Sequence, residues 1–376
     1  MKITYIANVR MPTEKAHGIQ IAKMCEAFGN NELKLILPWR FNKIKDNIFN
    51  YYGIKENFKI KKIFSLDLIP LNIPKVFFWI QSLTFYISVF FYLLLKKTDI
   101  IYSRDSFSLY LLSFFKKNLI CEIHTFPNNF FLHKRVFKKV SKIIVITKSL
   151  KDSLVNNGIN KDKILVVPDG VDLEKFDIDI SKEEARKKLN LPLNKKIVLY
   201  TGHLYKWKGA QVLADAAKLL DNDVLIVFVG GTKEDEEKFK EKNKNLSNIL
   251  ILGHKSYSEM PYYLKSADVL ILPNSGKSSI SKNWTSPMKM FEYMASKRPI
   301  IASNLSSLRE ILNKDNSILI KSDNSQELAD NINLTLKETN FADKISIQAY
   351  KDAQNYDWNK RAEKILKFIY YDKKLD

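Results

Sequence analysis

The stretch Trp284-Thr-Ser-Pro-Met-Lys-Met-Phe-Glu-Tyr-Met-Ala295, followed after three residues by Pro299-Ile-Ile-Ala-Ser303, reads as a loop, a helix and a buried strand. Ser286 suits a helix N-cap, and Pro287 suits the first helical position. Met288, Phe291 and Ala295 recur at i, i+3 and i+7, which gives the helix a core face. Pro299 stops it, and Pro-Ile-Ile-Ala has the composition of a central parallel strand. A helix start offers free amides and the positive end of the dipole, and both favour phosphate. Side chains lean back toward the helix start. Glu292 therefore points toward a group just beyond a bound phosphate, where a carboxylate accepts hydrogen bonds from a ribose diol. Lys289 adds charge. The other reading is an ordinary capped helix with Glu292 on its solvated side, and the local residues leave both open.

The same alternation of strand and helix extends outward in both directions. Strands are expected at 3–9, 33–38, 99–103, 119–124, 142–147 and 163–168, then at 197–201, 224–229, 248–252, 269–272 and 299–302. This pattern predicts two Rossmann-like α/β domains with parallel sheets facing each other across a cleft, a natural ligand site. The first domain is placed at 1–175 and the second at 193–355. Residues 176–192 are charged and read as the link, with a capping box at Ser181-Lys-Glu-Glu184. An amphipathic helix within 356–376 is a candidate to complete the first domain. Residues 41–73 are irregular and receive no element.

A chain of 376 residues carrying a net charge of +20 has room for two full cores and suits a polyanionic partner. Its basic residues are scattered, with no arginine-rich block and no nucleic-acid motif, so nucleic acid is not the expected partner. Cys25 and Cys121 fall in a helix and a strand, as buried reduced thiols do. The first strand begins at Lys2, so no signal peptide is expected and the cytoplasm is the expected compartment. Val76 to Leu95 carries no charge and is long enough to cross a bilayer. Gln81, Ser82, Thr84 and Ser88 interrupt it, and it lies between strands of one domain. A helix covering the sheet, buried or lying in the membrane interface, fits better than a crossing.

Other candidates follow the strands. Gly18, near the start of the first helix, lets a backbone approach a phosphate closely; a simple turn residue is the alternative. The three-glycine dinucleotide fingerprint is missing, which counts against a nicotinamide enzyme. His124 stands at a strand C-terminus, the edge where open parallel sheets bind ligands. Gly202-His-Leu-Tyr-Lys-Trp-Lys-Gly209 follows the first strand of the second domain, and Lys206 or Lys208 could clamp a diphosphate. Gly276-Lys-Ser278 lacks the first glycine of a P-loop, since Ile271 occupies that place. Asp177-Ile-Asp179 reads as solvated linker charge rather than a metal pair, and the scattered histidines have no zinc spacing. No metal site is expected.

Taken in order, several pieces resemble retaining glycosyltransferase family 4, the group-1 transferases of the GT-B fold. They are Glu14-Lys-Ala-His-Gly-Ile-Gln20, Ile143-Ile-Val-Ile-Thr147 with Val167-Pro-Asp-Gly-Val-Asp172, Tyr200-Thr-Gly through Lys208-Gly209, Ala267-Asp-Val-Leu-Ile-Leu-Pro273 and Ser286-Pro-Met-Lys-Met-Phe-Glu-Tyr-Met-Ala295. The resemblance implies Gly18 near the donor diphosphate, His124 beside the transferred sugar and Lys208 on the diphosphate. It implies phosphate-cradling amides near Ser286, Pro287 and Met288, and Glu292 on the ribose. Gly202, His203 and Lys289 join the donor-binding set, and His124 and Lys208 are the catalytic candidates. The donor implied is a nucleotide sugar, most often UDP-linked, transferred with retention and without metal or cofactor. A lipid-linked or cell-surface glycan precursor at the inner face of an anionic membrane is the expected acceptor. A nucleotide-sugar epimerase on the same fold is the alternative, and a basic nucleic-acid binder is the next.

Three positions depart from the family pattern. Trp284 stands where the first carboxylate of a glutamate pair is usual. His203 replaces a common arginine, which would leave Lys208 as the main fixed cation. Lys297-Arg298 precede Pro299 where a helix-ending glycine is common. A side chain in a left-handed cap costs roughly 1 kcal/mol, so a different helix end is expected there.

Overall fold

The computed structural model describes residues 1–68 and 76–371. The end of the irregular stretch at 69–73 and the last five residues of the expected 356–376 helix lie outside the described residues. The chain divides into two units: Met1–Pro168 with Trp358–Asp376, and Asp169–Asp357.

The first unit has a parallel sheet of seven strands: β1 (Lys2–Ile6), β2 (Glu32–Pro38), β3 (Lys59–Ile63), β4 (Ile100–Ser103), β5 (Leu119–Ile123), β6 (Lys142–Val145) and β7 (Ile164–Val166). Their order is β3-β2-β1-β4-β5-β6-β7. The chain winds outward from β1 to β3, then returns to lay β4 beside β1. The topological switch point is therefore between β1 and β4. The inner strands are runs of Ile, Leu, Val and Tyr buried on both faces, as a sheet covered by helices requires. One covering helix is Trp358–Tyr371, which packs on Ala16–Phe28.

Val76–Leu94 is a single helix. It buries Gln81, Ser82, Phe85, Val89 and Leu93 against the unit. Gln81 and Ser82 sit there because both bond to Asn8, at 3.0 and 3.1 Å. Its opposite side exposes Trp79, Leu83, Ile87 and Phe91, four residues apart, with Leu95 just beyond. The covered stripe mixes polar and apolar residues, and the exposed one is apolar.

The second unit has a parallel sheet of six strands: β8 (Lys196–Thr201), β9 (Val224–Val229), β10 (Ile249–Ile251), β11 (Val269–Leu272), β12 (Ile300–Ser303) and β13 (Ile318–Ile320), in the order β10-β9-β8-β11-β12-β13. Successive side chains point to opposite faces. Ile197 and Leu199 of β8 thus enter one core with Phe291 and Met294, while Val198 and Tyr200 enter another with Leu213 and Leu328. This sheet switches direction between β8 and β11.

Three expectations change here. The charged stretch read as a link belongs to the second unit: Phe176 and Leu191 are buried in its core, and Arg186 donates to Asp268 at 2.6 Å and to the Ser266 carbonyl at 2.9 Å. Asp177 is not a solvated charge but an ion-pair centre, 2.7 Å from Lys297 and 3.5 Å from Lys265, and accepting from the Tyr350 hydroxyl at 2.7 Å. Lys297 itself has φ 58°, so the helix end uses the left-handed cap without a glycine, and the lysine side chain is held by Asp177.

Candidate functional site

In the second unit, β8 ends at the switch point, where crossover geometry opens a crevice at the strand C-termini. Gly202 follows β8 with φ 119°, which glycine adopts freely, and its N–H donates to the Val229 carbonyl at 2.8 Å. The chain then turns through Lys206–Lys208 to Gly209, at φ 73°. A Cβ on Gly209 would stand 1.7 Å from the Pro273 carbonyl oxygen, so the turn is pressed against the end of β11. The Ser275 N–H donates to the Trp207 carbonyl at 3.0 Å and fixes the same contact. His203 stacks on Tyr205 at 4.8 Å, and Tyr200 donates to the His203 carbonyl at 2.6 Å.

This turn aims Lys208 back at Gly202. The Lys208 ammonium lies 3.8 Å, and the Lys289 ammonium 3.9 Å, from the point where a Gly202 Cβ would be. Lys289 also donates to the Thr201 carbonyl at 3.0 Å and lies 3.9 Å over the Tyr200 ring. Burial lowers the Lys208 pKa to about 8. It lowers that of Lys289 well below the usual lysine range, with the Lys208 charge adding to the effect and Glu292 opposing it. Two desolvated amino groups beside a side-chain-free backbone have the chemistry that suits a compact polyanion.

The helix that supplies Lys289 spans Met288–Ala295. Its start differs from the expectation. Pro287 is the N-cap, at φ −73° and ψ 125°, and no side chain among the described residues caps it. Ser286 instead accepts from the Asp169 N–H at 3.3 Å. The preceding Ile280–Trp284 forms a π-helical turn rather than a loop. Met288 is half-buried, and the core face belongs to Met290, Phe291, Met294 and Ala295. Tyr293 is buried too, and its hydroxyl accepts from the Thr201 N–H at 2.8 Å. The helix is thereby tied to the end of β8.

Glu292 is buried, which removes the reading that put it on a solvated side. It accepts from the Tyr257 hydroxyl at 3.0 Å. Burial raises its pKa to about 7, against the lowering effects of Tyr257, Lys175 and Lys289. Lys175 lies 4.5 Å over the Tyr257 ring. Neither Tyr257 nor Lys175 was expected from the sequence. A tyrosine inside a Ser-x-x-Glu turn and a lysine in a charged stretch carry no local mark of a shared partner.

In the first unit, the helix Ala16–Phe28 begins two residues before Gly18. Gly18 is closely packed: a Cβ would meet the Tyr52 hydroxyl oxygen at 2.2 Å and Thr13 Cγ2 at 2.6 Å. Tyr52 in turn accepts from the Thr13 N–H at 2.8 Å and donates to the Thr13 carbonyl at 3.0 Å, which shapes the loop after β1. His124 follows β5 as expected, with Nε2 2.6 Å from Glu122 Oε1. Glu122 is a buried hub that the sequence reading missed, although its place two residues before His124 on the same strand face is a signal. It accepts from Gln20 at 2.8 Å, from Arg361 at 2.7 Å and from the Tyr102 hydroxyl. Burial alone would raise its pKa, but Arg361 and His124 hold it well below the carboxylate range. Burial, Arg104 and Lys15 bring His17 down to about 4.

Each unit therefore carries a separate constellation: Gly18 and His124 in the first; Gly202, His203, Lys208, Ser286, Pro287, Met288, Lys289 and Glu292 in the second. Gly276, read as part of a failed P-loop, donates its N–H to Asp323 at 2.9 Å.

Comparison with known proteins follows the same division. The family description "Glycosyl transferases group 1" matches residues 181–352, and "Glycosyltransferase Family 4" matches residues 58–175. An uncharacterized glycosyltransferase of Methanocaldococcus jannaschii is 25% identical over 244 residues, covering 63% of this chain and 60% of that protein. The N,N'-diacetylbacillosaminyl-diphospho-undecaprenol alpha-1,3-N-acetylgalactosaminyltransferase of Campylobacter jejuni is 28% identical over 248 residues, covering 64% and 63%. The chain thus spans about 60% of the length of these curated relatives. The crystal structure of Anabaena HepE with UDP and glucose has a TM-score of 0.78 over 99% of this chain and all of its own, at 16% identity, which shows a common fold. With both sheets and both family descriptions in place, the chain matches the group-1 and family-4 glycosyltransferase descriptions over most of its length and shares the GT-B fold.

Proposed function

We propose that this protein transfers a sugar from a UDP-sugar to a glycan or lipid-linked acceptor at an anionic membrane surface, with retention and without a metal or cofactor. The observation that carries the proposal is the convergence of Lys208 and Lys289 on Gly202, with Glu292 one helical turn farther along. The two ammonium groups suit a diphosphate. The buried carboxylate suits the two hydroxyls of a ribose. The Campylobacter relative is named for a diphospho-undecaprenol-linked substrate, and the Anabaena structure is a complex with UDP and glucose.

In the proposed reaction the bond between the sugar C1 and the diphosphate oxygen breaks, and a bond from the acceptor oxygen to C1 forms. The acceptor proton passes to the leaving phosphate on the same face. Negative charge grows on the diphosphate as the bond breaks. Cations already in place stabilise it without reorganising. His124, which the resemblance places beside the sugar, is oriented by Glu122.

Membrane attachment is part of the same proposal. The exposed stripe from Trp79 to Phe91 ends at Leu95, Lys96 and Lys97, an apolar strip with cations at its end.

Thermal shift with UDP, GDP, ADP and CMP in EDTA tests the donor site. UDP is expected to stabilise the wild type, and Glu292→Gln and Lys208→Ala are expected to lose the shift. A protein that responds to no nucleotide would overturn the proposal, and a shift requiring Mg²⁺ would overturn its metal-free form. NMR of the product reads the anomeric configuration, and inversion would remove the same-face step.

A further inference from the structure

A cavity of about 820 Å³, largely apolar but with charged side chains in its wall, lies in the first unit beyond the C-terminal ends of β2 and β3. Its wall holds Arg40 and Asp67, whose side chains are only 10% and 7% exposed. Arg40 Nε lies 3.5 Å from Asp67 Oδ1, and Arg10 Nη2 lies 3.6 Å from Asp67 Oδ2. Asp67 Oδ2 also accepts the Phe41 N–H at 3.1 Å. One carboxylate thus faces two guanidinium groups. The buried Nε of Arg10, Nε of Arg40 and Oδ1 of Asp67 make no hydrogen bond among the described residues. Lys45 and Lys62 add positive charge to the wall, against Asp46. A guanidinium with spare charge and unused donors in a half-desolvated cavity matches a phosphate oxygen.

The rim is a different surface. Trp39, Phe41 and Phe64 are 65%, 57% and 57% exposed, and all three line the opening. Leu66, on the same wall, donates its N–H to Thr84 Oγ1 of the long helix at 3.0 Å. That bond fastens the rim beside Leu83, a member of the exposed apolar stripe. Inorganic phosphate has no use for an aromatic rim continuous with an apolar helix face. An amphiphile uses both.

We infer that this cavity binds the head of the acceptor, a diphosphate carried on a long apolar chain, with the anionic group at Arg40 and the chain leaving past Trp39 and Phe64 toward the stripe. The inference rests on the transferase reading for the word acceptor, and on the cavity alone for the ligand chemistry.

Farnesyl diphosphate is a soluble probe of that class, with inorganic pyrophosphate and farnesol as its two halves. Calorimetric titration of the full chain is expected to show farnesyl diphosphate binding at least about tenfold tighter than either half. Arg40→Gln is expected to weaken it about tenfold or more. Trp39→Ala, at an exposed position that leaves the fold intact, is expected to weaken farnesyl diphosphate while sparing pyrophosphate. The UDP thermal shift is expected to stay unchanged in both variants. Equal affinity for pyrophosphate would make this a free-phosphate site, and equal affinity for farnesol a merely apolar pocket; either overturns the inference. So does affinity that neither substitution alters. A wild type that binds farnesyl diphosphate but no UDP would refute the transferase reading and leave the cavity's ligand standing.

Discussion

Lys208 and Lys289, eighty-one positions apart in the sequence, place their ammonium groups 3.8 and 3.9 Å from one point beside Gly202. Burial makes both harder to charge, the Lys208 charge adds to this at Lys289, and a bound diphosphate would oppose it. In the free protein Lys208 titrates at about 8 because burial disfavours its charge. Nucleotide affinity is therefore expected to fall as the pH rises above 8. Lys208→Ala should lower affinity by about tenfold to a hundredfold at pH 7, the range of one charge-assisted contact. Its remaining affinity should depend less on pH between 7 and 9. Titration of UDP against both proteins at several pH values checks this.

Glu292 carries the opposite sign. Its folded pKa, about 7, lies above the ordinary 4.5, so the folded state binds the extra proton between those values. Stability contributed by this group is present below pH 4.5 and is lost as the pH rises through 7. Glu292→Gln removes the titration. The variant is expected to gain Tm relative to the wild type on going from pH 5 to pH 8, by several degrees. Paired melting curves at the two pH values measure it, and an unchanged difference would mean that Glu292 is not buried as a titrating acid.

Arg361 and Glu122 form a pair that is almost fully shielded from solvent, 2.7 Å apart. Arg361→Met leaves the Glu122 charge with weaker partners in the core. The expected loss is about 3–5 kcal/mol, the usual result of removing one partner from a buried pair. Denaturant unfolding should show the first unit failing early, while Glu122→Gln with Arg361→Met together should lose less than the sum of the two singles.

The exposed helix stripe predicts vesicle binding. The wild type is expected to cosediment with anionic vesicles and to be partly released by salt, because charge and apolar contact act together. Leu83→Glu and Phe91→Glu should each weaken binding without lowering Tm, since neither side chain is in the core. Equal binding by variants and wild type would take the stripe out of the membrane proposal.

Local pattern revealed the inner strands, because parallel strands buried on both faces are nearly pure aliphatic runs. It missed β3, whose sequence Lys59-Ile-Lys-Lys-Ile63 has the charges of an edge strand, and β13, which has three residues. Ser286 and Pro287 read as a cap and a first turn, yet the Ser286 hydroxyl is taken by Asp169, 117 residues away. No local rule sees such a partner. Lys208, Lys289 and Glu292 stood out through the loops and helix that carry them. Tyr257 and Lys175 did not, because what marks them is their approach to Glu292 in space.

The helix Trp358–Tyr371 belongs to the first unit although the whole second unit precedes it in the chain. Glu122 therefore emerges from the ribosome 239 residues before Arg361 does. At roughly 5–20 residues per second, that interval is on the order of 10–50 s. Through this time the nascent first unit holds an acidic group whose basic counterpart has not yet been synthesised. Translation order makes the half that is begun first the half that matures last.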